Sequence, residues 1–296
     1  MEWAADGTFH PRMNGRAEPC RKGHAMRKVK TLGCNHPYTG RLLCGAALAL
    51  LFVGACPSVA HGRTVTFAGR EWAVRSGEGG PGPNKWSDSE QSVWVNDDGL
   101  HLKIRNAEGV WYCAEVTSVL PTHYGMHRFY AGNGVDRLDR NVVASPFLYK
   151  DDAHEVDIEF STWGVGSGRN TQYVVQPCAA AGNIHRFEMI PNCGLSTHCF
   201  DWHRDSIHFM SYKGHSQEVP APEAVIQDWT YTGKDTPPEG DNLHIHINIW
   251  LIKGAAPSDG READFVVKDA DLPEPPRVPT NSADGESKHA TVSGKP

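Results

Sequence analysis

The segment HEVDIEF, residues 154–160, constrains this chain more than any other feature. Apolar Val156, Ile158 and Phe160 alternate with the acids Glu155, Asp157 and Glu159. Successive side chains of a strand point to opposite faces, so this spelling predicts a strand with one buried face and one acidic face. The same period recurs in Val93 and Val95, in Leu100, Leu102 and Ile104, and in Ile245, Ile247 and Ile249. Turn clusters separate these runs: GEGGPGPN at 77–84, NDDG at 96–99 and GVGSG at 164–168. No long helical stripe is present; PEAVIQDW at 222–229 reads as a short helix or a loop. Many strands without helices predict an all-β fold, a sandwich or jelly roll.

Charge divides the chain. Residues 1–60 carry 8 Lys and Arg against 3 Asp and Glu, leaving 21 against 32 in the rest. An acidic body repels a phosphate backbone, so nucleic acid is not an expected partner. The basic front precedes an uninterrupted apolar run from Leu42 to Cys56, LLCGAALALLFVGAC. That run is short for a membrane span. Basic residues before it and small residues after it match a secretory signal peptide, with Met26 or Met13 as the expected start. Two processing sites compete: cleavage after Ser58-Val59-Ala60, or a lipobox ending in Cys56, which then carries a lipid anchor. The expected location is outside the cell, or in the periplasm or cell envelope. No stable membrane span and a monomeric state are expected.

From about Pro273 the chain is Pro-rich, polar and nearly free of large apolar residues, so a disordered tail is expected over 273–296. This leaves 1–60 as the leader and 61–272 as one folded domain. Cys113, Cys178, Cys193 and Cys199 remain beyond the leader. In an exported protein they form up to two disulfides, in any of three pairings, or stay as buried thiols.

The acidic row is the candidate reactive feature. Three like charges in line repel, and a purely structural strand gains nothing from them. An exposed acidic face explains the pattern without chemistry, as does a cation site, although calcium loops use Gly-rich turns. Retaining glycoside hydrolysis needs such a set: a carboxylate that attacks the anomeric carbon and a carboxylic acid that protonates the leaving oxygen, about 5–5.5 Å apart. Residues four apart on an extended strand have α-carbons roughly 13 Å apart. Long side chains leaning inward close that gap, a reason for Glu at both ends. Asp157 between them can hydrogen-bond either and raise a neighbour's pKa.

HEVDIEF resembles the signature of glycoside hydrolase family 16, Glu-apolar-Asp-apolar-Glu, in the form found in lichenases and xyloglucan transglycosylases. The resemblance extends in order over about residues 72–268. AEVTSVLPTHYGMHRF (114–129) resembles the family's Glu strand and Tyr-Gly strand. NVVASPFLY (141–149) resembles the strand leading into the catalytic one, STHCFDWHRDSIHFM (196–210) has its Phe-x-Trp and Ile spacing, and INIWLIKG (247–254) resembles its Asn-Leu-Trp strand. The resemblance implies a curved jelly roll with an open cleft on its concave face and retaining chemistry on a β-linked polysaccharide. It implies Glu155 as nucleophile, Asp157 as assisting residue and Glu159 as general acid/base. Pro146-Phe147 departs from the family, which often has Trp or a bulky apolar-aromatic pair there. Some relatives carry a structural calcium on the far face, for which Asp264 is a candidate ligand; no cofactor is required for the reaction.

A polysaccharide cleft needs aromatic platforms for sugar faces and polar groups for hydroxyls. Trp163, just past the acidic strand, is a candidate platform, with a core role as the alternative. His246, Asn248 and Trp250 share a strand face with His244, and the resemblance places Asn248 and Trp250 in the cleft. Without a third nearby ligand, the His-x-His pair does not suggest a metal. Gln172 and Gln176 alternate onto one face, and Glu115 resembles a sugar-binding glutamate. Trp111 is preferred over Tyr112 as a cleft residue, since the two point opposite ways. The expected activity is internal cleavage of a polysaccharide such as a β-glucan. The alternatives are a transglycosylase acting on cell-wall glycan and a non-catalytic, lectin-like jelly roll.

Overall fold

The structure is a computed structural model. It describes residues 62–190, 192–240 and 242–274, together with the backbone of a short antiparallel pair, Glu2–Trp3 with Phe9–His10. Of the two units into which the chain divides, the second holds the described residues from Gly62 onward. The signal segment, both processing sites with Cys56, and the tail beyond residue 274 lie outside the described residues.

Two large antiparallel sheets form the body of the second unit. The first sheet runs, edge to edge, through Ile184–Phe187, Thr171–Val175, His154–Phe160, Val142–Asp151, His244–Leu251, Ala114–Ser118, Arg70–Val74 and Thr64–Phe67. The second runs through Val225–Tyr231, Ile207–Lys213, Ser196–Trp202, Gly125–Ala131, Ala263–Asp271, Gly99–Ala107 and Val93–Asn96, with Val110–Tyr112 paired to Gly99–Ala107. The segment expected to be a short helix or loop is a single 3-10 turn, Pro222–Ala224, leading into an edge strand. No α-helix occurs among the described residues. The architecture is a jelly-roll β-sandwich.

Alternation decides which way each strand faces. Val156, Ile158 and Phe160 are fully buried between the sheets, as are Ile245, Ile247 and Ile249 from the neighbouring region and Leu100, Leu102 and Ile104 from the second sheet. Each such side chain contributes about 1.5–3 kcal/mol on burial, so a one-residue slip would exchange an apolar face for a row of carboxylates. The register is tied at one corner by Gly99, at the end of the expected NDDG turn. Its φ of 121° lies in the region that favours glycine, and a Cβ there would sit 2.3 Å from the Val267 carbonyl oxygen. The Asn96 side chain accepts from the Asp98 N–H at 2.8 Å and shapes the turn.

The four cysteines Cys113, Cys178, Cys193 and Cys199 are all free thiols. Burial pushes the Cys113 thiol up to about 12, so it stays protonated at physiological pH.

Candidate active site

The face of the first sheet turned away from the core carries a cleft of about 690 Å³. Glu155, Asp157 and Glu159 all line it, because Val156, Ile158 and Phe160 take the opposite face. Cross-strand pairing sets their neighbours. Glu155 stands opposite Tyr149, Asp157 lies between Phe147 and Val174, and Glu159 stands opposite Gln172.

The three carboxyls sit in a densely packed site, which raises the proton affinity of each. Burial pushes Glu155 up to about 8, and the charges of Glu159, Asp152 and Glu115 add to it. Asp157 is held well above its ordinary range, first by burial and then by the charges of Glu155 and Glu159. The two share a side-chain hydrogen bond that lowers Glu155 and raises Asp157. Both carboxyls therefore hold a proton more tightly than a free acid, and the pair titrates as a unit. Burial also raises Glu159, opposed by a hydrogen bond from Gln172, the charge of Arg186 and the Trp163 indole. Gln172 Nε2 donates to Glu159 Oε2, and Arg186 Nε donates to Gln172 Oε1 at 2.7 Å.

Beyond the central strands, Glu115 is buried and held by two cationic or imidazole groups. Arg75 Nη1 donates to its Oε2 at 2.9 Å, and His246 Nδ1 lies 3.1 Å from its Oε1. Burial alone would raise Glu115, but these partners outweigh it and its pKa is lowered. Arg75 also donates to the Gly80 carbonyl at 2.7 Å and lies 4.0 Å over the Trp86 ring. This ties the hairpin of Gly77–Gly79 and Asn84–Trp86 to the rim of the cleft. The His246 ring lies 4.9 Å from Phe147 and meets Tyr149 edge-on at 5.7 Å. The Tyr149 hydroxyl donates to Asp152 at 3.2 Å.

The cleft gathers Gln172, Gln176, Asn248, Trp250, His246 and Glu115 around the acidic row. Asn248 is buried, and its Oδ1 has no hydrogen-bond partner. Trp111 does not line the cleft, and Trp163 lies buried beside Glu159. Trp111 belongs to Val110–Tyr112, a short strand that hairpins back onto Gly99–Ala107 of the second sheet, where it packs against the core. Trp163 is buried rather than offered as a sugar platform, and the Arg186 guanidinium covers its ring at 4.6 Å. Its φ of 45° marks a tight turn, braced by Ser161 Oγ, which accepts from the Trp163 N–H at 2.9 Å.

Arg75, Phe147, Tyr149, Cys178, Arg186 and Lys253 belong to the site without having been singled out from the sequence as sugar-binding residues. Phe147 and Tyr149 could have been found, since they alternate with buried Leu148 beside the acidic strand. Arg75, Cys178 and Lys253 follow strands rather than lying in them, so no periodicity marks them. Burial and the neighbouring Glu159 and Glu155 push the Cys178 thiol up to about 12.

Among the described residues no group of three or more His, Cys, Asp or Glu side chains gathers as a metal site. Asp264, the candidate calcium ligand, lies 3.8 Å from the Lys103 ammonium. Also among the described residues, no helix is long and apolar enough to cross a membrane.

The fold is a jelly-roll sandwich like that of solved glycosyl hydrolases, with a carboxylate-lined cleft on one sheet. No protein-family model matches the chain, and no curated protein sequence does. Among solved structures, the chain is similar to a glycosyl hydrolase family protein from Mycobacterium fortuitum at 15% identity, covering 67% of this chain and 89% of that one with a TM-score of 0.51. It is also similar to an immunostimulatory antigen and pseudo beta-1,3-glucanase of Mycobacterium tuberculosis at 14% identity, covering 67% and 88% with a TM-score of 0.50. At such identities the likeness establishes the fold.

Proposed function

We propose that the protein is an exported retaining glycoside hydrolase that cleaves internal β-linkages of a polysaccharide such as a β-glucan. The row of Glu155, Asp157 and Glu159 on the floor of an open cleft carries this reading. A surface strand would leave its acids in water, whereas these three are packed where ionisation is costly. Such a cost is characteristic of acid–base and nucleophilic sites.

In the proposed reaction the ionised form of Glu155, the minor form below about pH 8, attacks the anomeric carbon, while Glu159 gives its proton to the departing glycosidic oxygen. Asp157 keeps its own proton and donates a hydrogen bond to Glu155, orienting it and sharing its charge. The resulting glycosyl ester is broken by water, whose proton passes to Glu159, restoring both groups. A sugar hydroxyl in place of that water gives transglycosylation with the same residues. The apolar run Leu42–Cys56 and its basic flank support export.

The test is a panel of β-glucans, laminarin, xyloglucan and galactans, assayed for new reducing ends and for transfer products. The wild type is compared with Glu155→Gln and Glu159→Gln. Wild-type cleavage or transfer with a loss of more than a hundredfold in each variant is expected. Full activity in either variant, or glycan binding by the wild type without cleavage or transfer, would overturn the proposal. N-terminal sequencing of the mature protein checks export; retention of residues 26–55 contradicts it.

A further inference from the structure

We propose that Arg186 is a positioning residue for Glu159, acting by fixing which way the Gln172 amide points. The inference rests on the role proposed above for Glu159 as the proton donor.

Glu159, Gln172 and Arg186 lie side by side on three adjacent strands, paired Glu159 with Gln172 and Gln172 with Arg186. An amide in that middle place has two orientations, with its N–H₂ or its carbonyl toward the carboxyl. The carbonyl orientation would hold a protonated Glu159 and oppose its ionisation; the N–H₂ orientation favours the carboxylate. Arginine has donors and no acceptor, so its Nε, 2.7 Å from Gln172 Oε1, accepts only one answer. The Gln172 carbonyl must face Arg186 and its N–H₂ must face Glu159. Gln172 is buried, which leaves water little part in the choice.

Arg186 is itself held from behind. Its guanidinium lies 4.6 Å over the ring of Trp163, the residue carried at φ 45° in the turn after the acidic strand. A non-glycine residue in that region is a local cost that surrounding structure must offset. Here the turn puts an indole under the cation and beside Glu159. The buried Trp163 Nε1 forms no well-shaped hydrogen bond, yet it favours the ionised Glu159. The other titratable groups near Glu159 are Glu155 and Asp157 on its own strand and Cys178 beyond Thr171–Val175; Tyr149 lies across from Glu155. All of these are anionic when ionised; Arg75, His246 and Lys253 also line the cleft, and the charge that lowers Glu159 is that of Arg186.

A group that hands off a proton and then takes it back needs an environment that tolerates both forms. Burial keeps the acid form available, while the Arg186–Gln172 pair keeps the base form from becoming too costly.

The first experiment needs no substrate. In protein labelled with carboxyl-¹³C glutamate, the Glu159 resonance is assigned by its loss in Glu159→Gln and titrated in wild type and Arg186→Met. The Arg186→Met titration is expected at higher pH. Arg186→Lys, which keeps the cation over Trp163, is expected to titrate nearer the wild type. The second experiment compares leaving groups. A glycoside with a dinitrophenolate leaving group needs no proton donor, whereas a natural sugar leaving group does. Arg186→Met is expected to lose about tenfold or more in kcat/KM, which reports the glycosylation step, on the natural linkage and threefold or less on the activated glycoside. If Arg186→Met does not fold, Arg186→Gln, which removes the cation and no longer dictates the amide orientation, is carried through the same comparisons with the same outcomes expected. An unshifted Glu159 titration, or equal losses on both substrates, overturns the proposal. An inactive wild type with a shifted titration would instead overturn the assigned function and leave the Arg186 arrangement standing.

Discussion

Replacing Glu155 by Gln should make the protein more stable while removing its activity, and the gain should grow with pH. In the unfolded chain a glutamate ionises near 4.5, whereas in the folded protein burial and neighbouring charge hold Glu155 protonated to about 8. Between those values the unfolded state has lost a proton that the folded state keeps. Stability contributed by Glu155 is therefore fully present below about pH 4.5 and is lost as pH rises toward 8. At pH 7 the gap of about 2.5 pH units corresponds to roughly 3 kcal/mol at 1.36 kcal/mol per unit. Glutamine keeps the shape, still accepts from Asp157, and carries no such penalty. Each kcal/mol moves the melting temperature of a domain this size by about 2–4 °C, so Glu155→Gln should melt about 6–12 °C above wild type at pH 7. At pH 5 the two should nearly coincide. Scanning calorimetry of both proteins from pH 5 to 8 checks this. A difference that stays constant or shrinks as pH rises would refute the reasoning, because Glu155 would then lack the raised proton affinity its surroundings imply.

Three further outcomes are expected. His127 and His198 are fully buried and held near 3 by burial, so both stay neutral in the folded protein; their contribution is intact above about pH 6.5 and falls as pH drops toward 3, by roughly 1.4 kcal/mol per unit for each. His198→Gln should make the acid-side decline of the urea midpoint shallower, and an unchanged slope would contradict it. Gly99→Ala forces a Cβ to 2.3 Å from the Val267 carbonyl oxygen at a φ of 121°, and should destabilise by about 2–4 kcal/mol in a denaturant titration; a neutral result would mean that the edge of the second sheet yields. Asn248→Ala should raise KM about tenfold with a smaller change in kcat, because its unpartnered buried Oδ1 suits a substrate hydroxyl; a loss confined to kcat would place its role elsewhere.

Much of the fold was legible because alternation is a local property. The strand His154–Phe160, its buried apolar face and its acidic face were readable from seven residues, and so was the placing of His246, Asn248 and Trp250 on one face. Trp111 shows the limit. Its hairpin partner lies in the second sheet, and no local pattern states which sheet a short strand will join. Trp163 shows another: proximity in sequence to Glu159 brought it near the site, but the turn after Phe160 carries its ring under Arg186 instead of into the cleft. The Arg75–Glu115 pair spans 40 residues and depends on the ends of adjacent strands coming together. The raised proton affinities likewise depend on packing density around the row, which a residue pattern does not contain.

The order of strands in the first sheet also dictates when a cleft can exist. His244–Leu251 pairs with Val142–Asp151 on one side and Ala114–Ser118 on the other, and is the sole bridge between four strands and three. The acidic row and Gln172 lie on the four-stranded side, while Glu115 and Arg75 lie on the three-stranded side. A chain emerging from synthesis can pair Val142–Asp151 with His154–Phe160 early, since few residues separate them. Joining the halves waits for a strand about a hundred residues later, at the loop-closure cost that such a separation carries. Until that strand docks, the carboxylates stand on an open sheet with no opposite wall. Loop-closure entropy thus predicts the complete cleft as a late product of folding.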